Sequence, residues 1–503
     1  MAFVAALQEK GRAVEGHRPW PRVVVDEEVW RQAVLGIAAG EATLFGLWSD
    51  GEAVHLALAA QAATNLLVVS LPCPERRFPS VARTHAPALR LERTIRDVHG
   101  LEPDGCPDER RWLDHGRWGL RHPLGERATA DAAGDAYAFL TAEGPPLHQV
   151  PVGPVHAGII EPGHFRFTAN GETVVRLEER LGYVHKGIDY LMIGASIAHA
   201  ARLAGRVSGD STVAYALAFA RAVEAARGSE PPVRAVWLRA LMAELERLAN
   251  HLGDIGAICN DASFSLIHAN CGILREHVLR VSNTCFGHRL MMDRVVPGGV
   301  VADLATDGVA DLRALLRIIR RRFPELVELY DNTASLQNRT VTTGILSAEL
   351  ARRYGAGGFV GRGSGRTFDA RRAPGYAPYT TLLFDVPGRS VGDVDARVWV
   401  RIEEVYQSLV LVEQVLDGLP TGAIMSVAGG GADGEGIALV EGFRGDILCW
   451  VRLGPGGTIA HCHLRDPSWF QWPLLEAAIE GNIVADFPLC NKSFNCSYSG
   501  HDL

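Results

Sequence analysis

The strongest constraint on the fold is a helical spacing of apolar residues in the middle of the chain. In residues 237–252, which read WLRALMAELERLANHL, apolar side chains recur every three to four positions. This is the spacing of one face of an amphipathic helix. Further long helices are predicted for residues 273–292, 311–322 and 394–416. The Pro-Gly-Gly at 297–299 is expected to stop the first of these three.

The pattern changes to β near the end of the chain. Residues 437–453 are rich in apolar and β-branched side chains, the turn sequence GPGG follows, and TIAHCHL completes the segment. Two such runs around a Gly-Pro turn predict a hairpin. Cys449 and Cys462 fall on its strands and are predicted to be small buried residues.

The N-terminal part has a different character. Residues 52–72 form an apolar stretch that ends in a β-branched run, and residues 143–154, EGPPLHQVPVGP, are rich in Pro and Gly. The second stretch predicts a linker. We therefore expect an α+β protein with a small α/β domain at residues 1–145. A mainly helical domain with a β-rich accessory region is expected at residues 146–503.

Composition excludes some functions. A chain of 503 residues suggests two to four domains. A net charge of −8 gives no support for nucleic-acid binding. No uncharged apolar run reaches the length of a membrane span, so contact with a membrane is expected to be peripheral.

The chain shows no cofactor motif of its own. No two of its nine cysteines form a C-x-x-C pair, which argues against an iron–sulfur cluster in this chain. The glycine-rich stretches at 361–365 and 428–436 lack the Gly-Lys-Ser/Thr of a phosphate-binding loop and are predicted to be surface loops. We therefore expect no cofactor in this chain.

A block of polar residues near the N-terminus resembles a known family. The stretch LERTIRDVHGLEPDGCPDERRWL begins at Leu91, and His-Pro-Leu follows at 122–124. This order is similar to that of the C-type subunit of NADH–quinone oxidoreductase, complex I. It is expected to form a salt-bridged turn segment that docks on a partner.

The rest of the chain resembles the D-type subunit of complex I and the large subunits of group 4 [NiFe] hydrogenases. A fused C-plus-D arrangement is similar to the large subunit of formate hydrogenlyase-type complexes. The motifs that carry the resemblance are GPVHAGIIEPGHFRF at 153–167, LGYVHKG at 181–187, ELERLANHL at 244–252, PGGV at 297–300, NRTVTTG at 338–344, DVPGRSVGDVDAR at 385–397, RDPS at 465–468 and the C-terminal stretch.

The resemblance draws attention to four ligand positions. Hydrogenases of this family hold nickel and iron with four cysteine thiolates, in one early and one C-terminal C-x-x-C pair. Here Ser208 and Ser211 occupy the early positions, and Cys496 and Ser499 occupy the late ones. Three of the four are hydroxyls, which are poor substitutes for soft thiolates toward nickel. The resemblance therefore implies the frame of a metal site without the metal.

The quinone chemistry of complex I is only partly represented. The resemblance implies a histidine in the loop at 153–167 and a tyrosine in the segment after residue 206. Placing that histidine on His164 requires an insertion, and Gly209 stands where the tyrosine is expected. Tyr215 lies one and a half helical turns further on.

The family fold implies that the remaining polar residues meet around one cavity. Glu161, in EPGH, matches the acid that passes protons from a hydrogenase centre, and a buried carboxylate beside histidines can relay protons. The alternative is a satisfied polar cluster left after the metal was lost, with an inert Cys496. The candidate residues are His156, Glu161, His164, Arg206, Ser208, Asp210, Ser211, Tyr215, Cys496, Ser499 and His501.

The function implied by the resemblance is that of a core subunit on the cytoplasmic face of a membrane-attached complex. Electrons would arrive from a [4Fe–4S] cluster in a small partner subunit and pass to quinone or a similar acceptor. Ferredoxin-like and antiporter-like membrane subunits are the other expected partners, the second coupling reduction to ion movement. NADH would bind a different subunit. An active hydrogenase large subunit and a non-catalytic docking scaffold are the alternatives, and the electron donor, acceptor and coupling ion stay open.

Overall fold

The computed structural model describes residues 2–60, 64–129, 137–158, 160–426 and 434–503. Most of the predicted glycine-rich loop at 428–436 lies outside these residues. Within the described residues, no helix is long and apolar enough to cross a membrane.

Helices dominate the chain after residue 187. The α-helices are α1 Ala2–Lys10, α2 Glu27–Ala38, α3 Leu89–His99, α4 Ile188–Met192, α5 Ile197–Ala204, α6 Thr212–Arg227, α7 Val233–Asp261, α8 Ser265–Phe286, α9 Gly308–Asn332, α10 Ala334–Thr340, α11 Ala348–Arg353, α12 Gly358–Gly363, α13 Val394–Gly418, α14 Ser468–Ala478, α15 Phe487–Phe494 and α16 Tyr498–Asp502.

Strands are concentrated at the two ends of the chain. They are β1 Arg12–Ala13, β2 His17–Arg18, β3 Arg22–Val24, β4 Thr43–Ser49, β5 Ala53–Ala59, β6 Leu66–Pro72, β7 Arg77–Pro79, β8 Glu102–Asp104, β9 Leu120–Arg121, β10 Ala128–Thr129, β11 Leu147–Val152, β12 His164–Asn170, β13 Thr173–Arg180, β14 Val295–Val296, β15 Gly299–Val300, β16 Glu435–Gly442, β17 Gly445–Gly454 and β18 Thr458–Arg465. With the helices, they confirm the predicted α+β class.

The N-terminal sheet is buried on both faces. Its strand order is β1-β3-β6-β5-β4, and only the β3–β6 pair is parallel. Trp30 of α2 and Ile95 of α3 contribute to the hydrophobic core on one face. The C-terminal sheet of β16, β17 and β18 packs on the other face, where Trp48 and Trp450 lie 5.7 Å apart. Burial on both faces explains why residues 52–72 are apolar almost throughout.

The linker prediction for residues 143–154 is wrong in its second half. Residues Leu147–Val152 form β11, which pairs with β12 over its whole length. Pro151 is tolerated there because β11 is an edge strand, where one side of the backbone needs no partner. The domain boundary after residue 145 stays a prediction.

The predicted helices are present, but one of them ends early. The helix predicted for 273–292 is α8, which stops at Phe286 because Gly287 adopts the left-handed conformation, with φ 74°. Gly at this position ends many helices, because it reaches positive φ without strain. Pro297 and Gly298 instead form the turn between the two short strands β14 and β15, and Gly299 is the first residue of β15.

The β region contains two hairpins where one was predicted. Strands β17 and β18 form the expected hairpin around GPGG, and Cys449 and Cys462 are buried on them as predicted. The run at 437–453 is itself broken by a tight turn at Phe443 and Arg444, where β16 turns back into β17. This turn aims Arg444 into the interior.

Residues 361–364 of the glycine-rich stretch at 361–365 are buried and Gly365 is exposed, so the prediction of a surface loop is wrong for most of the stretch. It overlaps the end of α12, where Gly361 has no room for a Cβ beside the Ala356 carbonyl and a Cβ at Gly363 would be a tight contact with the Arg397 side chain. Arg362, between the two glycines, is fully buried. Sequence patterns favour a loop for such glycines, whereas here they permit close packing.

Arg362 belongs to a buried network of ion pairs. It bonds Glu404 at 2.6 Å and Glu441 at 2.9 Å, and His251 Nε2 lies 2.6 Å from Glu404 Oε2. The eight side chains of the network are Glu244, Arg247, His251, Arg362, Asp369, Arg371, Glu404 and Glu441. Its four carboxyl groups face three guanidinium groups, so the network has one carboxyl without a matching guanidinium.

Candidate functional site

The segments that carry the four ligand positions meet in the structure. The Ser208 hydroxyl, just before α6, lies 3.1 Å from the Ser497 hydroxyl at the start of α16. Ser208 also donates a hydrogen bond of 2.7 Å to Asp210. Ser208, Ser211, Cys496 and Ser499 are all buried. The family resemblance implies that these segments lie close together, and in the structure they do.

A buried arginine joins the two segments. The Arg444 guanidinium donates to both carboxylate oxygens of Asp210, at 2.8 and 2.6 Å, and its Nε donates to the Asn495 carbonyl at 2.6 Å. It also donates to the Ser211 hydroxyl at 3.2 Å. Burial alone would raise the pKa of Asp210, but the charge and hydrogen bonds of Arg444 outweigh it and hold this pKa below its usual range. Asp210 is therefore ionised and positions both serines.

The donor set does not fit a [NiFe] centre. The hydroxyls of Ser208 and Ser211 donate to Asp210, and burial raises the pKa of the Cys496 thiol well above its usual range. Nickel and iron in this family require four deprotonated sulfur ligands, which two engaged hydroxyls and one protonated thiol do not supply. Across the described parts of the chain, no group of three or more His, Cys, Asp or Glu side chains is arranged to hold a metal ion.

Ser208, Asp210, Ser211, Arg444 and Ser497 form a polar cluster. Tyr215, on the first turn of α6, lies beside this cluster. Its hydroxyl donates a 2.5 Å hydrogen bond to Asp466 Oδ2, and both side chains are buried. Burial, with the nearby Asp466 charge, raises the pKa of Tyr215 well above its usual range. A Cβ at Gly500 would collide with the same Asp466 oxygen, so glycine allows α16 to pass directly over this pair.

His501 anchors α16 to the N-terminal part of the chain. Its Nδ1 lies 2.8 Å from Asp502, and its Nε2 accepts a hydrogen bond from the Trp112 indole at 3.2 Å. The ring stacks on Trp469 with centroids 4.0 Å apart. Burial lowers the pKa of His501 in spite of Asp502. Both ring nitrogens are occupied, which is the arrangement of a structural histidine.

Glu161 and His156 lie on the loop between β11 and β12 and both contact α16. Glu161 Oε2 accepts a 3.0 Å hydrogen bond from the Ser499 backbone N–H, and His156 Nε2 lies 3.3 Å from the Tyr498 hydroxyl. Glu161 is exposed on this chain, although the sequence suggested a buried carboxylate. These two residues form the accessible edge of the cluster.

Two candidate residues stand apart from the cluster. His164 is buried on β12, where Arg166 donates to its Nε2 at 3.3 Å and the Phe139 ring lies 4.8 Å away. Arg206 is exposed and forms an ion pair of 2.7 Å with Asp293. These contacts give both side chains partners other than Asp210 and the side chains of α16.

The sequence did not single out Arg444, Ser497 or Tyr498. Arg444 could have been noticed as a charged residue between two apolar β runs, since charged residues are rarely buried without a partner. Ser497 and Tyr498 lie within the recognised C-terminal stretch but at positions where the family resemblance placed no role.

The N-terminal polar block is part of the interior. Asp97 accepts hydrogen bonds from the backbone N–H groups of Trp112 and Leu113 at 2.6 and 2.8 Å. Trp112 of the block donates its indole N–H to His501 Nε2 of α16 at 3.2 Å. The block therefore packs against the C-terminal part of its own chain, and its docking on a partner stays a prediction.

Comparison with known proteins agrees with this architecture. Residues 34–133 match the family described as respiratory-chain NADH dehydrogenase, 30 Kd subunit. Residues 267–430 match the family described as respiratory-chain NADH dehydrogenase, 49 Kd subunit. The chain thus combines in one polypeptide the two types of subunit that the sequence motifs indicated.

Individual relatives come from both branches of the family. Formate hydrogenlyase subunit 5 of Escherichia coli (strain K12) is 32% identical over 465 residues, covering 90% of this chain and 82% of the relative. A D-type subunit of NADH-quinone oxidoreductase from Roseiflexus sp. (strain RS-1) is 31% identical, covering 67% of this chain and 94% of the relative. A C/D-type subunit of the same enzyme from Phocaeicola vulgatus is 28% identical, covering 74% of this chain and 76% of the relative. The chain belongs to the family of complex I 49-kDa-type subunits and related hydrogenase large subunits, with a 30-kDa-type region fused at its N-terminus.

Proposed function

We propose that this protein is a core subunit of a membrane-associated oxidoreductase complex, and that it does not act through nickel. Electrons come from a [4Fe–4S] cluster in a small partner subunit and pass to quinone or a similar organic acceptor near α16. The observation that carries the proposal is the preserved ligand frame of the family, in which Ser208, Ser211 and Ser499 replace thiolates.

The residues at the accessible edge of the cluster are proposed to supply the protons that the reduction needs. Reduction of a quinone consumes protons, and Glu161 and His156 are the ionisable candidates that reach the surface of this chain beside α16. Glu161 is proposed to pass protons, since a carboxylate at a site of reduction can act as general acid. His164, Arg206 and His501 are not assigned a catalytic role, because their contacts are those of structural side chains.

The wider assembly follows from the relatives. Those compared are named as subunits of larger enzymes, so this chain is expected to work with partner subunits. The proposed partners are a small iron–sulfur subunit, a ferredoxin-like subunit and antiporter-like membrane subunits that couple reduction to ion movement. The protein is proposed to lie on the cytoplasmic face of the membrane, attached through these partners.

A docking scaffold is the second candidate function. It is favoured because polar groups of the cluster already have hydrogen-bond partners within the chain. Both ring nitrogens of His501 and both carboxylate oxygens of Asp210 are bonded. A scaffold would hold the partner subunits together without transferring electrons.

The two candidates differ in an electron-transfer assay. The intact complex is purified, its iron–sulfur clusters are reduced with dithionite, the excess is removed, and menadione is added. The proposal expects the clusters to be reoxidised on the timescale of turnover, which visible absorbance follows. The isolated chain, measured as a control, is expected to lack cluster absorbance. Clusters that stay reduced in the presence of menadione would favour the scaffold.

A further inference from the structure

A cavity lies at the junction between the N-terminal α/β part and the C-terminal part of the chain. It is bounded by β4, α3, α4, β18 and α14, and the last residue, Leu503, also lines it. Its volume of about 70 Å³ is several times the roughly 10–15 Å³ that one water molecule needs. The polar cluster of Ser208 and Asp210 does not line this cavity.

The walls of the cavity are mainly apolar and aromatic. Leu91, Ile95 and Val98 of α3 form one wall. Trp48 forms another and stacks nearly parallel on His463, with ring centroids 5.3 Å apart and an interplanar angle of 7°. Such flat apolar walls suit the body of a ring-bearing molecule.

The polar side chains that line the cavity have five buried atoms without hydrogen-bond partners. They are Trp48 Nε1, His99 Nδ1, Asp189 Oδ1, His463 Nε2 and Trp469 Nε1. A buried polar atom without a partner is destabilising, so native proteins rarely leave several in one place. All five atoms belong to residues that line the same cavity, so a molecule bound there could supply the missing partners.

The charges of the lining favour a neutral molecule. Among the described residues that line the cavity there is no lysine or arginine to attract an anion. Burial lowers the pKa of His99 to about 4 and that of His463 to about 3, so both imidazoles are uncharged at neutral pH. Burial raises the pKa of Asp189 to about 7, so this carboxyl is partly protonated there.

The mouth of the cavity opens beside α4. Tyr190 and Ile193 line the cavity and are 46% and 43% exposed, so a ligand can enter from solvent without unfolding of the core. Leu191, between them, is 48% exposed but does not line the cavity. A substitution at Ile193 therefore changes the mouth of the cavity, and the same substitution at Leu191 is the matched control.

We propose that this junction cavity is a binding site for a small neutral aromatic molecule that carries a hydroxyl or carbonyl group. The ring lies between the α3 wall and Trp48, and the oxygen pairs with the unpartnered atoms of His463, Asp189, His99 or Trp469. The site goes beyond the proposed electron transfer and does not depend on it.

Phenol and toluene are the probes that test this site on the full chain, by ligand-observed nuclear magnetic resonance titration. Phenol is expected to bind saturably and more tightly than toluene. Ile193→Trp, which narrows the mouth, should weaken phenol at least about tenfold, as expected for a ligand that loses much of its burial. Leu191→Trp should leave phenol binding unchanged. Both side chains are partly exposed, so neither variant disturbs the core.

A second variant tests the polar part of the proposal. His463→Phe keeps the stacking on Trp48 but removes the unpartnered nitrogen, so phenol binding should weaken about fivefold, the equivalent of one neutral hydrogen bond of about 1 kcal/mol. Toluene binding should not weaken. The proposal is overturned if phenol does not saturate, if Ile193→Trp has no effect, or if phenol and toluene bind equally and ignore His463→Phe. An Ile193→Trp variant that binds phenol normally would indicate binding elsewhere, and equal binding of phenol and toluene that ignores His463→Phe would indicate a purely apolar site.

Discussion

Replacing Glu404 by glutamine is expected to lower the free energy of unfolding by about 3–5 kcal/mol, the range for breaking a buried ion pair. Glu404 accepts hydrogen bonds from Arg362 and His251, and all three side chains are almost fully buried. Burial alone would raise the pKa of Glu404, but Arg362 and His251 hold it well below its usual range. Glutamine keeps the shape but leaves Arg362 with too little negative charge around it.

Glu441→Gln is the matched control within the same network. Glu441 also bonds Arg362, but burial and then the neighbouring Asp369 raise its pKa to about 7. It is the carboxyl expected to hold the extra proton of the network. Glutamine resembles the protonated form, so the expected loss is only about 1 kcal/mol, the scale of one perturbed hydrogen bond.

The two variants should show opposite dependence on pH. The raised pKa of Glu441 contributes stability below about 4.5 that is lost as the pH rises to about 7, and glutamine removes this decline. The lowered pKa of Glu404 contributes stability above about 4.5 that is lost in acid, so Glu404→Gln should lose most at neutral pH. Urea unfolding at pH 3, 5 and 8 measures both: relative to the wild type, the loss in Glu441→Gln should change between pH 5 and pH 8, and the loss in Glu404→Gln should change between pH 3 and pH 5. Equal losses with the same trend would contradict this assignment of charge.

Glu161→Gln is expected to lower the rate of quinone reduction by the intact complex by about 10²–10⁴-fold, the usual effect of losing a general acid. Glutamine can still accept the hydrogen bond from the Ser499 N–H, so α16 should stay in place. The yield of the complex and the melting temperature should therefore not change. The loss should appear in the rate constant and not in the concentration of quinone needed for half-maximal rate.

Glu172→Gln is a suitable control for this experiment. Glu172 is another exposed carboxylate, at the turn between β12 and β13, and its backbone carbonyl rather than its side chain contacts the rest of the chain. Its replacement should leave the rate unchanged. Full activity in Glu161→Gln would remove the proton-transfer role and strengthen the scaffold alternative.

Much of the secondary structure could be predicted because it depends on the spacing of apolar residues and on turn residues that lie close together in the sequence. The three-and-four spacing at 237–252 lies within α7, and the two β runs around GPGG form β17 and β18. The predicted end of α8 is too late because the Pro-Gly-Gly at 297–299 is a stronger stop signal than Gly287, an ordinary C-terminal glycine. Burial of 361–364 was missed because it depends on partners, Glu404 and Glu441, that lie far away in the sequence.

The sequence indicated two segments of the candidate site but not the hydrogen bonds and ion pairs that join them. The family resemblance implies that the Ser208 loop lies beside the C-terminal stretch, and in the structure the Ser208 and Ser497 hydroxyls lie within hydrogen-bonding distance. The arginine that joins them, Arg444, comes from a β turn whose direction only tertiary packing sets. For the same reason the sequence did not reveal that Glu161 is exposed while His501 is fully bonded.

The protein is proposed to function without nickel, although it keeps the segments that hold the metal in related hydrogenases. Metal analysis of the purified intact complex tests this most directly, because serine oxygens do not replace the soft thiolates that nickel requires. We expect iron from the clusters of the partner subunits and nickel below about 0.1 equivalent, a level at which only contaminating metal remains. Nickel close to one equivalent per complex would contradict both the loss of the metal site and the proposed reduction of an organic acceptor in its place.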